Sequence, residues 1–545
     1  MLEVVGQQRK RMAWPSPSLA LISMRPLSSL GSSRTSEPSK RYRLISMMAR
    51  AFFSSGVMGG RLAQRPFKRV PRHPRTRLNR PGPELDAVGP PGIFGTSGIR
   101  GVFNEEVTAE LAVEVGMALA TLRGPGPYTL AHDARKTGMA LAHAFSAGVM
   151  ACGGDVAFLG LLPTGALAFL TRELGAKAGC IITASHNPPE YNGLKLFRSD
   201  SSPLWPEEES RLEGVLRSRS FRRSGWGEVG SYRTLDVSDL YVEALADLVE
   251  LKRRWKVVLD PGCGSASLLA PRIFEEVGCE VIAINNRPDG SFPARSPDPR
   301  PDTVSELMSC VREKGADVGF AYDGDADRMV IVDEKGNFVP FDVALAAFAA
   351  PRLRGVGGGL IITTVEASYC VDEAVRAEGG RVMRTKVGDK HVSREVVRSG
   401  AIFGGEPCGA WVIPEVHLCA DGILASLMVL AAMDGEGVRP SEFFGWVPRF
   451  HTVREKVPCP NELKGAVMED LRELLPTCFR GVVGLIDIDG LRLELEGGWV
   501  LVRPSGTEPV VRITAEARGV EEARSLLLKA RSLVEEAVEK ALSRS

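Results

Sequence analysis

The chain has 545 residues, of which 44% are hydrophobic and 25% charged, with a formal net charge of +1. Such a composition belongs to a globular protein of several domains and excludes a collagenous, wholly disordered or membrane-spanning chain. Its longest candidate for a membrane span, Ile423 to Met433, falls short of the ~18 residues a membrane helix needs.

The small net charge hides an asymmetry. Residues 1–83 carry 17 Lys/Arg against two acids, Glu3 and Glu37 (net +15), whereas the rest of the chain carries 51 basic and 65 acidic residues (net −14). The segment 1–91 is rich in Arg, Ser and Pro, without apolar periodicity, and is expected to be a disordered leader. It reads as a transit peptide, as a tail for anionic surfaces, or as the product of a mis-set translation start with Met48 or Met58 as the true one. The last reading is preferred, and none gives the leader a part in the chemistry. Ten cysteines are scattered without a CxxC pair or a His/Cys cluster, so neither a disulfide framework nor a zinc site is expected. A reducing cytoplasm is the expected compartment. No nucleic-acid or membrane partner is expected.

From Gly92 onward, short apolar runs alternate with helix-period segments. Strands are predicted at 128–131, 156–159, 180–182, 256–259, 281–284, 360–363 and 380–383, with helices such as 109–122 and 367–378 between them. This alternation predicts mixed, mostly parallel sheets covered on both faces. The pattern restarts near residues 92, 255 and 355, which divides the chain into α/β domains at 92–240, 241–340 and 341–447. The last segment, 448–545, is predicted to be a smaller α+β domain. Alternation in Leu491 to Glu496 and Val511 to Ala517 predicts antiparallel strands with one wet face. A terminal helix is predicted from the apolar spacing of Val520, Ala523, Leu527, Ala530, Val534 and Val538.

Four loops carry chemistry. Thr183-Ala184-Ser185-His186-Asn187-Pro188 follows a predicted strand, so Ser185 is presented at the carboxyl edge of a sheet, where α/β folds place their sites. Asp323-Gly324-Asp325-Ala326-Asp327-Arg328 sets three carboxylates at alternate positions, able to converge on one hard cation. A calcium EF-hand is excluded, although Glu334 falls at loop position 12. Position 6 is Arg328 where a glycine is required, and the flanks 318–321 and 329–332 read as strands. Magnesium in an incomplete protein cage fits better. Gly404-Gly405-Glu406-Pro407-Cys408-Gly409 offers one carboxylate for a pair of hydroxyls. Arg503-Pro504-Ser505-Gly506-Thr507-Glu508 combines a guanidinium, hydroxyls and free N–H groups suited to phosphate, with Arg512 nearby. Asp260-Pro261-Gly262-Cys263-Gly264 is read as a structural turn, because it lacks the third glycine and the acid of a dinucleotide fingerprint.

In this order the four loops resemble those of the α-D-phosphohexomutase superfamily (phosphoglucomutases, phosphomannomutases and phosphoglucosamine mutases). Further matches are Phe94-Gly95-Thr96-Ser97-Gly98-Ile99-Arg100-Gly101, Tyr191-Asn192-Gly193-Leu194-Lys195 and Val387-Gly388-Asp389-Lys390. The stretch from Gly405 to Ile423 is most similar to archaeal phosphoglucosamine mutases. The resemblance spans 92 to about 540. It implies a phosphoserine at Ser185, sharing one Mg²⁺ with Asp323, Asp325 and Asp327. It also implies transfer of that phosphoryl group to a hexose or hexosamine monophosphate and back by way of a bisphosphate. Arg503, Ser505, Gly506, Thr507 and Arg512 would hold the idle phosphate, and Glu406 and Cys408 the sugar. Arg100, Lys195, Arg328 and Lys390 would neutralise the transferring phosphate, with His186 or Lys195 moving the proton. The sugar loop departs from the family pattern: Cys408 stands where many relatives have serine, and Ala410 where they have histidine. Activity toward glucosamine phosphates is the leading expectation. Phosphomannomutase or phosphoglucomutase activity, a metal-dependent sugar phosphatase and a non-catalytic binder stand as alternatives.

Overall fold

Four sheets follow one another along the chain in a computed structural model that describes residues 92–506 and 508–544. The expected leader lies outside those residues. The first sheet holds β1 (Ile99–Val102), β2 (Gly126–His132), β3 (Gly154–Leu161), β4 (Ala178–Ile182), β5 (Tyr191–Arg198) and β6 (Tyr232–Thr234) in the order β1-β5-β4-β2-β3-β6. Its β4-β2-β3-β6 portion is parallel, while β5 runs antiparallel to both β4 and β1. The second sheet, β10-β9-β7-β8, comprises β7 (Lys256–Asp260), β8 (Glu280–Ala283), β9 (Val318–Tyr322) and β10 (Met329–Val332), with only β10 antiparallel. The third, β12-β11-β13-β14, comprises β11 (Gly359–Thr364), β12 (Gly380–Thr385), β13 (Phe403–Gly405) and β14 (Trp411–Val412), parallel except for β14. Central strands such as β4 and β9 are buried at every position, which is why they read as unbroken apolar runs.

The helices between strands begin and end on local signals. Thr108 accepts the Leu111 N–H (3.2 Å) at the start of helix Ala109–Arg123. Asp421 accepts the N–H groups of Ile423 and Leu424, both at 3.0 Å, at the start of helix Gly422–Glu436. That helix contains the most apolar stretch in the sequence and is a core element. Among the described residues no helix is long and apolar enough to cross a membrane. One continuous core joins the first three sheets, running from helix Thr164–Glu173 through Trp255 and Phe320 to Phe348, Trp411 and Leu427.

The fourth sheet is wholly antiparallel: β15 (His451–Pro458), β16 (Val482–Ile486), β17 (Leu491–Leu495), β18 (Gly498–Pro504) and β19 (Val510–Ala517), in the order β15-β19-β18-β17-β16. Helices Lys464–Cys478 and Val520–Arg544 cover one face. Three α/β domains thus precede a smaller α+β domain.

The expected wet face is a correction. Arg492 is fully buried; its guanidinium lies 3.9 Å from the Trp499 ring centroid and donates to the carbonyls of Val365 (2.7 Å) and Ala367 (2.8 Å). Glu516, also buried, accepts from Trp499 Nε1 (2.8 Å) and from the Tyr369 N–H (2.9 Å). The polar alternation is genuine, but at Arg492 and Glu516 its polar side is docked against the third domain, while Arg512 stays half exposed. Periodicity reports which residues share a face and says nothing of what covers that face.

Candidate active site

Ser185 sits just past the end of β4, fully buried, at φ 52°, a left-handed conformation that a non-glycine residue holds only when its surroundings impose it. The imposing groups come from the loop after β2. Asp133 accepts from Thr183 Oγ1 (2.7 Å), which in turn accepts the Ser185 N–H (2.9 Å). Arg135, paired with Asp133 at 3.1 Å, donates to the carbonyls of Ser185 (2.8 Å), Asn187 (2.6 Å), Pro188 (2.5 Å) and Tyr191 (2.9 Å). One guanidinium therefore holds the whole serine loop.

The metal loop meets this loop from the second sheet. Ser185 Oγ donates to Asp323 Oδ2 at 2.5 Å, and His186 Nδ1 lies 3.3 Å from the same hydroxyl. Gly324 permits the approach, since a Cβ there would sit 2.5 Å from the Ser185 carbonyl oxygen. Carboxylate oxygens of Asp323, Asp325 and Asp327 lie within 4.8 Å of one another, and all three side chains are buried. Lys195 Nζ donates to Asp325 Oδ2 (2.6 Å) and Asp327 Oδ2 (2.5 Å), while Thr164 Oγ1 donates to Asp325 Oδ2 (2.6 Å). Asp325 Oδ1 and Asp327 Oδ1 remain buried without a hydrogen-bond partner. Unsatisfied buried carboxylate oxygens are costly, so this cage fits a small hard cation with oxygen preference.

The electrostatics follow from crowding. Burial and the charges of Asp327 and Asp325 push Asp323 well above the carboxylate range. Burial alone would raise Asp325 too, but Lys195 and Thr164 hold it below its ordinary value. Burial opposes the charge on Lys195, yet Asp325 and Asp327 outweigh it and keep the ammonium. Burial, reinforced by Arg328 and Arg100, pushes His186 down to about 2, so the imidazole is neutral.

A cleft of about 550 Å³ opens beside these groups, lined from all four domains. His186, Asp327, Arg328, Glu406, Cys408, Arg503, Ser505, Gly506 and Arg512 all face it. Glu406 is buried and accepts the Gly388 N–H (2.8 Å); burial and the charge of Asp389 push its carboxyl up to about 7. The sugar loop is tied to the metal loop through the Met329 N–H donating to the Gly409 carbonyl (3.1 Å). Gly409, at φ 86°, is required there, because a Cβ would lie 2.1 Å from the Met329 carbonyl oxygen. Burial raises the Cys408 thiol well above its ordinary range although Arg328 opposes this, so it is an uncharged wall of the cleft.

Arg503 and Arg512 are direct register partners on β18 and β19. Arg503 reaches Asp489 (3.0 Å) and Glu366 (3.1 Å), and Arg512 reaches Glu508 (2.8 Å). Beneath them Lys464 Nζ donates to the carbonyls of Ser505 (2.5 Å) and Glu508 (2.6 Å). Thr507 lies outside the described residues. Arg100 reaches Asn187 Oδ1 at 3.4 Å. Lys390 is placed differently from its sequence expectation: its ammonium donates to Glu209 (2.6 Å) and the Gly95 carbonyl (2.8 Å) and does not line the cleft. Its charge is spent on fastening the third domain to the first. Lys195 likewise faces the carboxylates and not the cleft.

Sequence reasoning missed Asp133, Arg135, Thr164, Glu366 and Lys464, and quoted Asp389 without giving it a role. Only the Asp133-Ala134-Arg135 group carried a usable signal, an acid and an arginine just beyond a parallel strand. Lys464 reaches the phosphate loop from a different segment, which no local pattern discloses.

Family models for the phosphoglucomutase/phosphomannomutase alpha/beta/alpha domains I, II and III match residues 91–223, 239–336 and 342–450, and that of the C-terminal domain matches 455–531. The probable phosphoglucosamine mutase of Methanothermobacter thermautotrophicus is 47% identical over 450 residues, 82% of this chain and 99% of that protein. Among solved structures, a phosphoglucomutase/phosphomannomutase family protein from Burkholderia thailandensis is 29% identical with a TM-score of 0.75, covering 82% of this chain and 97% of that one. The Aspergillus fumigatus N-acetylphosphoglucosamine mutase, solved with GlcNAc-6P and magnesium, is alike in fold at 16% identity and a TM-score of 0.50, covering 82% and 96%. With all four domain models matched in order along the chain, this protein belongs to the phosphoglucomutase/phosphomannomutase family.

Proposed function

We propose that the chain is a phosphoglucosamine mutase, interconverting glucosamine 6-phosphate and glucosamine 1-phosphate through a phosphoserine at Ser185. The observation that carries this reading is the Ser185 hydroxyl set 2.5 Å from Asp323, in a three-carboxylate cage beside the cleft that ends at the Arg503–Arg512 pair. A hydrolase serine needs a base oriented by an acid. Among the described residues no acid hydrogen-bonds His186, and the hydroxyl points at a carboxylate. That arrangement suits a phosphate carrier, as does the 47% identity to a probable phosphoglucosamine mutase.

In the first half-reaction the bond from phosphorus to Ser185 Oγ breaks and a bond to the free sugar hydroxyl forms, giving a hexosamine bisphosphate. The hydroxyl proton passes to a base in the cleft. His186 is better placed for this than Lys195, because it lines the cleft 3.3 Å from the Ser185 hydroxyl, whereas Lys195 is a cation committed to two carboxylates. The bisphosphate then turns over and its other phosphoryl group returns to Ser185. Arg503, Arg512, Ser505 and Gly506 hold whichever phosphate is idle, and Arg328 and Arg100 stabilise the moving charge. When bound by Asp323, Asp325 and Asp327, Mg²⁺ supplies charge neutralisation for the phosphoryl group on Ser185. Glu406, which also lines the cleft, orients the sugar.

Turnover of glucosamine, glucose and mannose phosphates by the purified protein tests the reading. The highest kcat/KM is expected with glucosamine 6-phosphate; a preference for either neutral sugar replaces this reading with phosphoglucomutase or phosphomannomutase.

A further inference from the structure

Cations in and behind the cleft already have carboxylate partners. Lys195 is bound to Asp325 and Asp327, Lys390 to Glu209, and Arg503 to Asp489 and Glu366. Arg328 lies 3.9 Å from Asp327. Two carboxylates on the same floor, Asp389 and Glu406, have no ion-pair partner among the described residues, although each is 93% buried.

These two residues are brought together by the backbone. Gly388, at φ 126°, turns the chain into helix Asp389–Ser399 and gives its N–H to Glu406 at 2.8 Å, leaving the Asp389 carboxylate beside it. Asp389 receives no hydrogen bond from any described residue. After burial itself, Asp389 is the largest influence raising Glu406, whereas burial raises Asp389 and the charges of Lys195, Arg100 and Lys390 offset part of that rise. A second unsatisfied group faces the same space. Thr364 Oγ1 is fully buried, has no partner and lines the cleft. Neighbouring buried carboxylates with free lone pairs and an idle hydroxyl form a receptor for a compact cation that donates several hydrogen bonds.

We propose that Asp389 and Glu406 form the pocket for the 2-ammonium group of a hexosamine phosphate, with Thr364 completing it, an assignment that rests on the phosphoglucosamine mutase reading above. A primary ammonium offers three donors and one positive charge, matching two carboxylates and a hydroxyl. A sugar with a 2-hydroxyl offers one donor and no charge, leaving the carboxylates repelling each other. The pocket thereby selects amino sugars by electrostatics in a chain whose sugar loop lacks the hydroxyl and imidazole of many relatives.

The experiment compares wild type, Asp389→Asn and Asp389→Glu for kcat/KM on glucosamine 6-phosphate and on glucose 6-phosphate, with thermal unfolding of each variant as a control. Asp389→Asn is expected to lower kcat/KM for the amino sugar by about 30-fold or more, as for truncation of one partner of a buried charge pair. The neutral sugar is expected to lose much less than the amino sugar, and Asp389→Glu to recover part of the amino-sugar preference. Equal losses on both sugars, or no loss on the amino sugar, overturn the assignment and leave the mutase reading intact. A wild-type preference for glucose 6-phosphate overturns both.

Discussion

Arg503 and Arg512 stand opposite one another on β18 and β19, a pairing of like charges that costs stability unless something negative lies between or beside them. Carboxylates occupy part of each fork, and the remaining donors face the cleft. Arg503→Ala is expected to raise KM for a hexose monophosphate about tenfold or more, the weight of a charge-assisted contact. The half-exposed Arg512, screened by solvent and held by Glu508, should give a smaller effect that fades in high salt. Steady-state kinetics at two ionic strengths check both.

Removing the Ser185 hydroxyl tests the carrier itself. Ser185→Ala should lose mutase turnover while retaining sugar-phosphate binding by calorimetry. Incubation with a hexose bisphosphate should add a phosphoryl group to the wild-type mass and none to the variant. Substantial turnover by Ser185→Ala would falsify the phosphoserine route.

Lys195 and the metal compete for the same carboxylates. Lys195→Met strips the cation from Asp325 and Asp327, and breaking such a buried pair typically costs about 3–5 kcal/mol. Magnesium then has two freed oxygens to claim, so its stabilising effect should grow. Melting curves with and without Mg²⁺ should show a larger increment in the variant than in wild type, and chelation should lower both.

Arg135 is expected to be intolerant of lysine. Its guanidinium serves four carbonyls and one carboxylate at once, and an ammonium cannot copy a planar fork. Arg135→Lys should lower kcat more than it raises KM, because it loosens the serine loop without touching the phosphate nest. A KM change alone would argue against a positioning role.

Glu406 sets a pH dependence whose sign can be worked out. Its carboxyl is pushed from an ordinary 4.5 up to about 7, so between those values the folded protein holds a proton that the unfolded chain has released. Stability from this group is therefore present below about pH 4.5 and lost as pH rises toward 7, on the order of 3 kcal/mol in all. Glu406→Gln should stabilise the ligand-free protein more at pH 7.5 than at pH 5, by thermal unfolding. His186 acts in the opposite sense: its neutral folded form loses ground as pH falls below 6.5.

Much of this was legible in the sequence because local pattern and local chemistry coincide. The apolar runs of β4 and β9 are buried throughout, and the Ser185 and Asp323–Asp327 motifs are contiguous loops that carry their own groups. What escaped depends on distant segments. Arg492 looked like half of a wet alternation because nothing near it announces that Val365 and Ala367 will cover it. Lys390 looked like a phosphate ligand because its motif does not reveal that Glu209 will claim its charge. Asp389 stood in a quoted motif without a role, since its unpaired state appears only when the partners of its neighbours are known.

The bond from Lys390 to the Gly95 carbonyl and Glu209 has a mechanical consequence. With the Arg172 guanidinium on the Val416 carbonyl (2.6 Å) and the Leu418 N–H on Ser201 Oγ (3.0 Å), it rivets the first domain to the third behind the cleft. The second shares their core, so these three make a rigid cup. The polar contacts described for the fourth domain run to the third alone, through Arg492, Arg503 and Glu516. In the mutase reading the bisphosphate turns around in mid-reaction, and the wall that carries the Arg503–Arg512 pair is then the one whose described polar contacts reach a single neighbour.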